Sequence, residues 1–130
     1  MRYIRRELEP QLISALFEGF IGAEIVKAQS NAGRRREPYY FRDQQSIEVD
    51  FVVPGKSGSA RLIEAKAART VTPRDAAPLQ RLADAWSARG HRRAQLEQIV
   101  VHRPPRGGVV SRALAPGVRA LPWQEFVTEA

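Results

Sequence analysis

The sequence predicts an α/β domain, a mixed central sheet flanked by helices, with elements in the order α-β-β-β-α-β. Three observations carry this: apolar residues at three- and four-residue steps early in the chain, strict alternation from Ile47 to Val53, and a second helical pattern followed by a short apolar run at Gln98–His102. With 130 residues, 43% hydrophobic and 27% charged, the chain has the size and composition of one globular domain over 1–130, its core running from about residue 12 to 126.

From Leu12 to Lys27, Ile13, Leu16, Phe17, Phe20 and Ile21 recur with helical spacing, and Asn31-Ala32-Gly33 supplies the stop. Arg34-Arg35-Arg36 follows as a basic loop. Tyr39–Arg42 is rich in strand formers, and after the polar turn Asp43–Ser46 the alternating stretch Ile47–Val53 runs until Pro54 and Gly55 end it. Lys56-Ser57-Gly58-Ser59 turns the chain, so Ala60–Ala67 reads as the second arm of a hairpin. Thr72, Pro73 and Asp75 are start signals for a second helix carrying Leu79, Leu82, Ala83 and Trp86, with Gly90 as its stop. Gln98–His102 is a short buried strand, Pro104–Gly108 a loop, and Leu121–Phe126 a closing segment.

Twenty-one Lys+Arg against 14 Asp+Glu give a net charge of +7, which points to a polyanionic partner such as DNA. The absence of cysteine removes disulfides, thiol nucleophiles and thiolate metal sites, and fits the reducing cytoplasm. Glu7, Glu9 and Pro10 interrupt any signal-peptide core, and no apolar run approaches the ~20 residues of a membrane helix. No fixed-period repeat is present.

The chemistry concentrates on the hairpin. In an ideal strand Ile47, Val49, Phe51 and Val53 share one face while Glu48 and Asp50 share the other; Leu62, Glu64 and Lys66 likewise line up together on the next strand. Pairing around the 54–59 turn lets the Asp50 and Glu64 carboxylates converge. Two acidic oxygens with the Ala65 backbone carbonyl make an incomplete hard-oxygen shell suited to Mg²⁺ or Mn²⁺, and Lys66 faces the water such an ion would keep. On a helical wheel Glu24 falls among Ile13, Phe17 and Phe20, where an unpaired carboxylate is costly, so Glu24 is the expected helix contribution, with Glu18 as its substitute.

An Asp on the second strand, Glu64-Ala65-Lys66 on the third and a Glu on the preceding helix resemble the PD-(D/E)XK nuclease superfamily, with its restriction-endonuclease-like core. More closely, Leu16-Phe17-Glu18-Gly19-Phe20, Glu24, Tyr40-Phe41-Arg42-Asp43, Glu48-Val49-Asp50-Phe51, Ile63-Glu64-Ala65-Lys66-Ala67 and Leu121-Pro122-Trp123 are similar to the domain of unknown function 4143, which typically follows an AAA-type ATPase domain. The resemblance implies a metal-dependent nuclease site with Glu24 or Glu18, Asp50, Glu64 and Lys66 as catalytic residues. It equally allows a non-catalytic DNA-binding or interaction module keeping the same fold. It also implies an AAA-type ATPase partner, because no ATPase module is present here: Gly55-Lys56-Ser57 is no P-loop, since Asp50 stands where the motif requires Gly.

Arg34, Arg35, Arg36, Arg69 and Arg74 flank the predicted site and are expected to touch phosphates. His91 and His102 are expected at the surface or at a strand end, and Trp86 and Trp123 as core or docking residues.

Overall fold

The computed structural model describes residues 2–33, 39–42, 47–92, 95–104 and 113–129. Arg34–Arg36, the Asp43–Ser46 turn and most of the Pro104–Gly108 loop lie outside the described residues. Helix α1 spans Arg2–Asn31, strands β1 and β2 span Tyr39–Arg42 and Glu48–Pro54, and β3 spans Ala60–Lys66. A short 3-10 turn, Pro73–Ala76, leads into helix α2, Ala77–Ala88; β4 (Leu96–His102), β5 (Ala113–Ala115), β6 (Val118–Pro122) and helix α3 (Trp123–Glu129) complete the chain.

The six strands form one sheet in the order β1-β2-β3-β4-β6-β5. β1–β2 and β2–β3 are antiparallel hairpins, whereas β3, β4 and β6 run parallel, so the sheet is mixed as expected. It is larger than the four-strand prediction because residues before the closing segment add strands: β5 and β6 make a further hairpin around Gly117, whose φ of +75° suits a residue without a Cβ, and within the closing segment Trp123 begins a helix.

Both faces are covered. Ile21 and Ile25 of α1 and Phe126 of α3 pack with Val53, Ile63, Ile99, Val101 and Leu121 on one face. Leu79 of α2 and Ala76 of the preceding turn pack with Val49, Leu62, Val100 and Val118 on the other. Sandwiching a parallel centre between helices explains why β4 reads as a continuous apolar run, with neither face left to solvent.

Two expectations are corrected. Alternation along β2 is broken: Val49 lies under α2 while Phe51 and Val53 lie under α1, although residues two apart in a regular strand share a face. The register shows why. Val49 pairs with Phe41 and Val52 with Tyr39, so β2 carries Asp50 and Phe51 where β1 carries only Tyr40. That extra residue is a β-bulge.

The helix is also rotated relative to the wheel reading. Its buried line is Ile21 and Ile25 with Phe17, while Leu12, Ile13, Leu16 and Phe20 stay exposed. At about 100° per residue, Glu18 and Glu24 then flank the buried line on opposite sides, each about 60° away. Gly22, one turn after Glu18, lets the helix settle on Phe51: a Cβ there would lie 3.1 Å from the Phe51 ring.

Candidate functional site

The bulge places Asp50 where the hairpin ladder stops. Paired residues in the β2–β3 ladder end at Phe51 and Ile63, and beyond that point side chains replace backbone partners. The Asp50 N–H donates to Glu64 Oε1 at 2.9 Å, and the Ala65 N–H donates to Asp50 Oδ2 at 2.9 Å. Each carboxylate is thus clasped by the other strand's backbone, which fixes both and leaves one oxygen of each outside these two bonds.

Half-buried acids this close cannot both ionise freely. Burial, then the Asp50 charge, with a further contribution from Glu18, push Glu64 up to about 8. Asp50 is raised as well, chiefly by burial and also by Glu48, while the Ala65 N–H and a hydrogen bond from Glu64 oppose the rise. Glu64 is therefore the acid that holds the proton near neutrality, donating it towards Asp50. Glu18 is raised by burial and then by the Asp50 charge.

Of the predicted residues, the structure brings together Asp50, Glu64, Ala65 and Glu18. Glu24 is not part of this group: its carboxylate lies 3.8 Å from Lys27 Nζ, one helical turn along. Glu18 is the helix carboxylate that acts on the pair, because the side of α1 bearing Gly22 approaches Phe51 and hence Asp50. Lys66 follows Glu64 by two residues on β3, but its ammonium sits 3.6 Å from Asp75 Oδ1. Asp75 is itself held, its Oδ2 accepting from the Thr72 N–H at 2.8 Å at the entrance to α2.

Arg69 donates to the Pro104 carbonyl at 2.9 Å and so braces the loops after β3 and β4; Arg74 is exposed. His102 is a strand-end residue, as expected, but a buried one. It is 2% exposed at the end of β4, beside Lys66 in the register, with Nδ1 2.7 Å from the Arg103 carbonyl oxygen. His91 stacks on Trp86 at 3.9 Å, and Trp123 meets Phe20 edge-on at 5.3 Å.

Among the described residues, no three His, Cys, Asp or Glu side chains are arranged to hold an ion by themselves. A cavity of about 1070 Å³ opens at the far end of the strands, lined by Ile25, Val53, Arg61, Gln98, Gly117 and Arg119. Its wall carries the charge-balanced chain in which Glu97 bridges Arg61 and Arg119, and Arg119 reaches Glu129 at 3.2 Å. It is remote from the acidic pair, which lies at the opposite end of β3.

Fold and site together define an α/β domain whose mixed sheet carries a clasped carboxylate pair at a bulge. The profile of the family described as Domain of unknown function (DUF4143) matches residues 14–106, and the chain belongs to that family. No curated protein and no solved structure matches.

Proposed function

We propose that this domain is a Mg²⁺-dependent phosphodiesterase acting on DNA, built on a PD-(D/E)XK nuclease-like core. The observation that carries the proposal is the Asp50–Glu64 clasp: two carboxylates forced together at a bulge, with no cation, among the described residues, in the set of groups that shape their ionisation. Such a pair suits a hard divalent ion, which relieves the repulsion otherwise relieved by a proton. The donor chemistry fits Mg²⁺ or Mn²⁺; Asp50 and Glu64, with the Ala65 carbonyl, would hold it, and water and phosphate would fill the remaining positions. When bound, the ion neutralises charge developing on the phosphate and acidifies an attacking water.

The chain's own residues divide the remaining work. The backbone bonds from Asp50 and Ala65 orient the two carboxylates before substrate arrives, so no reorganisation is needed in the transition state. Glu18 adds negative charge at the rim. Lys66 orients the attacking water, and Arg74 offers an exposed guanidinium to a neighbouring phosphate. Metal-supplemented digestion of single-stranded, duplex and branched DNA tests this: Glu64→Gln and Lys66→Ala should abolish product formation with little loss of binding. Product formation indifferent to both substitutions, or none at all, rejects the phosphodiesterase.

One observation favours a second reading, a DNA-binding or interaction module without turnover that works beside an AAA-type ATPase. The Lys66 ammonium rests on Asp75 and does not contribute to the balance at Asp50 and Glu64. Calorimetric titration with Mg²⁺ and Mn²⁺ separates the two, since absence of binding at millimolar metal supports the module.

A further inference from the structure

The outer edge of the sheet beside the carboxylate pair presents an aromatic ring that the core does not use. β1 is the edge strand, and its residues alternate: Phe41 packs into the cluster under α2, which turns Tyr40 and Arg42 to the face shared with Asp50 and Glu18. Tyr40 sits opposite the bulge, facing the Asp50–Phe51 step. It is 56% exposed, on an edge strand where Arg42 and Glu48 beside it are also open to solvent.

Its hydroxyl end lies towards Glu48. The phenol pKa is raised by desolvation, by a hydrogen bond to Glu48 and by the Glu48 and Asp50 charges, with Arg42 opposing the rise. Glu48 is in turn held by Arg42 at 3.2 Å. The result is a largely exposed ring on the edge strand, opposite the Asp50–Phe51 step and beside an exposed guanidinium.

We infer that Tyr40 is a stacking platform for an unpaired base, which makes single-stranded nucleic acid the substrate class of this site. The inference rests on the phosphodiesterase reading for the meaning of the site, though not for its test. An exposed tyrosine can stack on any base, whereas the bases of a duplex are already stacked on one another and cannot reach it. Arg42 supplies a cation for the adjacent phosphate once substrate competes for it with Glu48. The overall charge of +7 favours the encounter.

The test is equilibrium binding of a fluorescent single-stranded oligonucleotide to metal-free full-length protein, followed by anisotropy so that no turnover is needed. Tyr40→Ala should weaken binding by about five- to a hundredfold, the range for loss of one base–aromatic stack. Tyr40→Phe, which keeps the ring, should bind like the wild type, as should both variants towards duplex of the same sequence. An oligonucleotide with abasic positions should reproduce the loss on the unaltered protein, which keeps the test valid if Tyr40→Ala fails to fold. No single-strand binding, equal affinity of wild type and Tyr40→Ala, or equal losses on single strand and duplex would overturn the inference. Absence of cleavage with these effects intact would instead remove the phosphodiesterase and leave the platform standing.

Discussion

Two half-buried carboxylates joined through each other's backbone must share a proton or a cation, and that choice should be visible in stability. Glu64 ordinarily titrates near 4.5 and is raised to about 8 in the folded chain. The folded state therefore binds this proton more tightly than the unfolded state. The corresponding stability is complete below about pH 4.5 and is lost as pH rises through about 8. In chelator-treated protein the melting temperature should fall across that window, and Glu64→Gln should remove that part of the fall; identical slopes in both proteins would contradict the assignment. Mg²⁺ added near pH 8 should raise the wild-type melting temperature and leave Glu64→Gln unchanged. Glu18→Gln should lower the Glu64 titration midpoint, read by carboxyl-carbon resonance, because it removes a like charge, whereas Glu24→Gln should leave it where it is.

At the scale of elements, the start of α2 ties the site to the fold. Thr72 and Asp75 close the first turn, the Asp75 carboxylate accepting from the Thr72 N–H, while Pro73 needs no donor at that position. The same carboxylate receives the Lys66 ammonium. Asp75→Ala should cost about 1 kcal/mol in denaturant unfolding, the usual value of a lost cap. Asp75→Asn keeps an acceptor for Thr72 and should cost less, so the difference isolates the cap from a half-exposed ion pair of small worth. Equal losses in the two variants would mean that the charge, not the cap, dominates. The β2 bulge works at this scale too: by turning Val49 under α2 and Phe51 under α1, it leaves Asp50 at the divergence of the two strands.

At the scale of the molecule, the basic excess predicts how DNA binding responds to salt. Each phosphate neutralised on duplex contributes roughly −0.9 to the slope of log K against log salt, so four contacts give about −3.5. Replacing Arg34, Arg35 and Arg36 together by Ala should flatten it by about two or three units. A slope unchanged by the triple substitution would show that these arginines are solvated surface. Arg69 is expected to contribute through loop geometry, since its guanidinium already serves the Pro104 carbonyl.

The sequence by itself determined the class of the fold, the β2–β3 hairpin, the caps and stops of α2, and the pairing of Asp50 with Glu64. All of these follow from period, turn chemistry or adjacency within a few residues. It also carried the family motifs from Leu16 to Ala67, which fall within the matched residues 14–106, whereas Leu121-Pro122-Trp123 lies outside them. The β5–β6 hairpin escaped because its strands are only three and five residues long, too short for a period of two to declare itself. Only tertiary structure decided which side of α1 is buried, since that helix is apolar around more than half its circumference and no local term chooses between Ile13/Phe20 and Ile21/Ile25. That choice put Glu18 rather than Glu24 at the site. Tertiary structure likewise decided the bulge, a mismatch between two strands that neither sequence shows alone. It also set the burial of His102, which depends on β3 and β6 closing over the end of β4, and the attachment of Lys66 to Asp75, nine residues away in sequence and brought close by the crossover into α2.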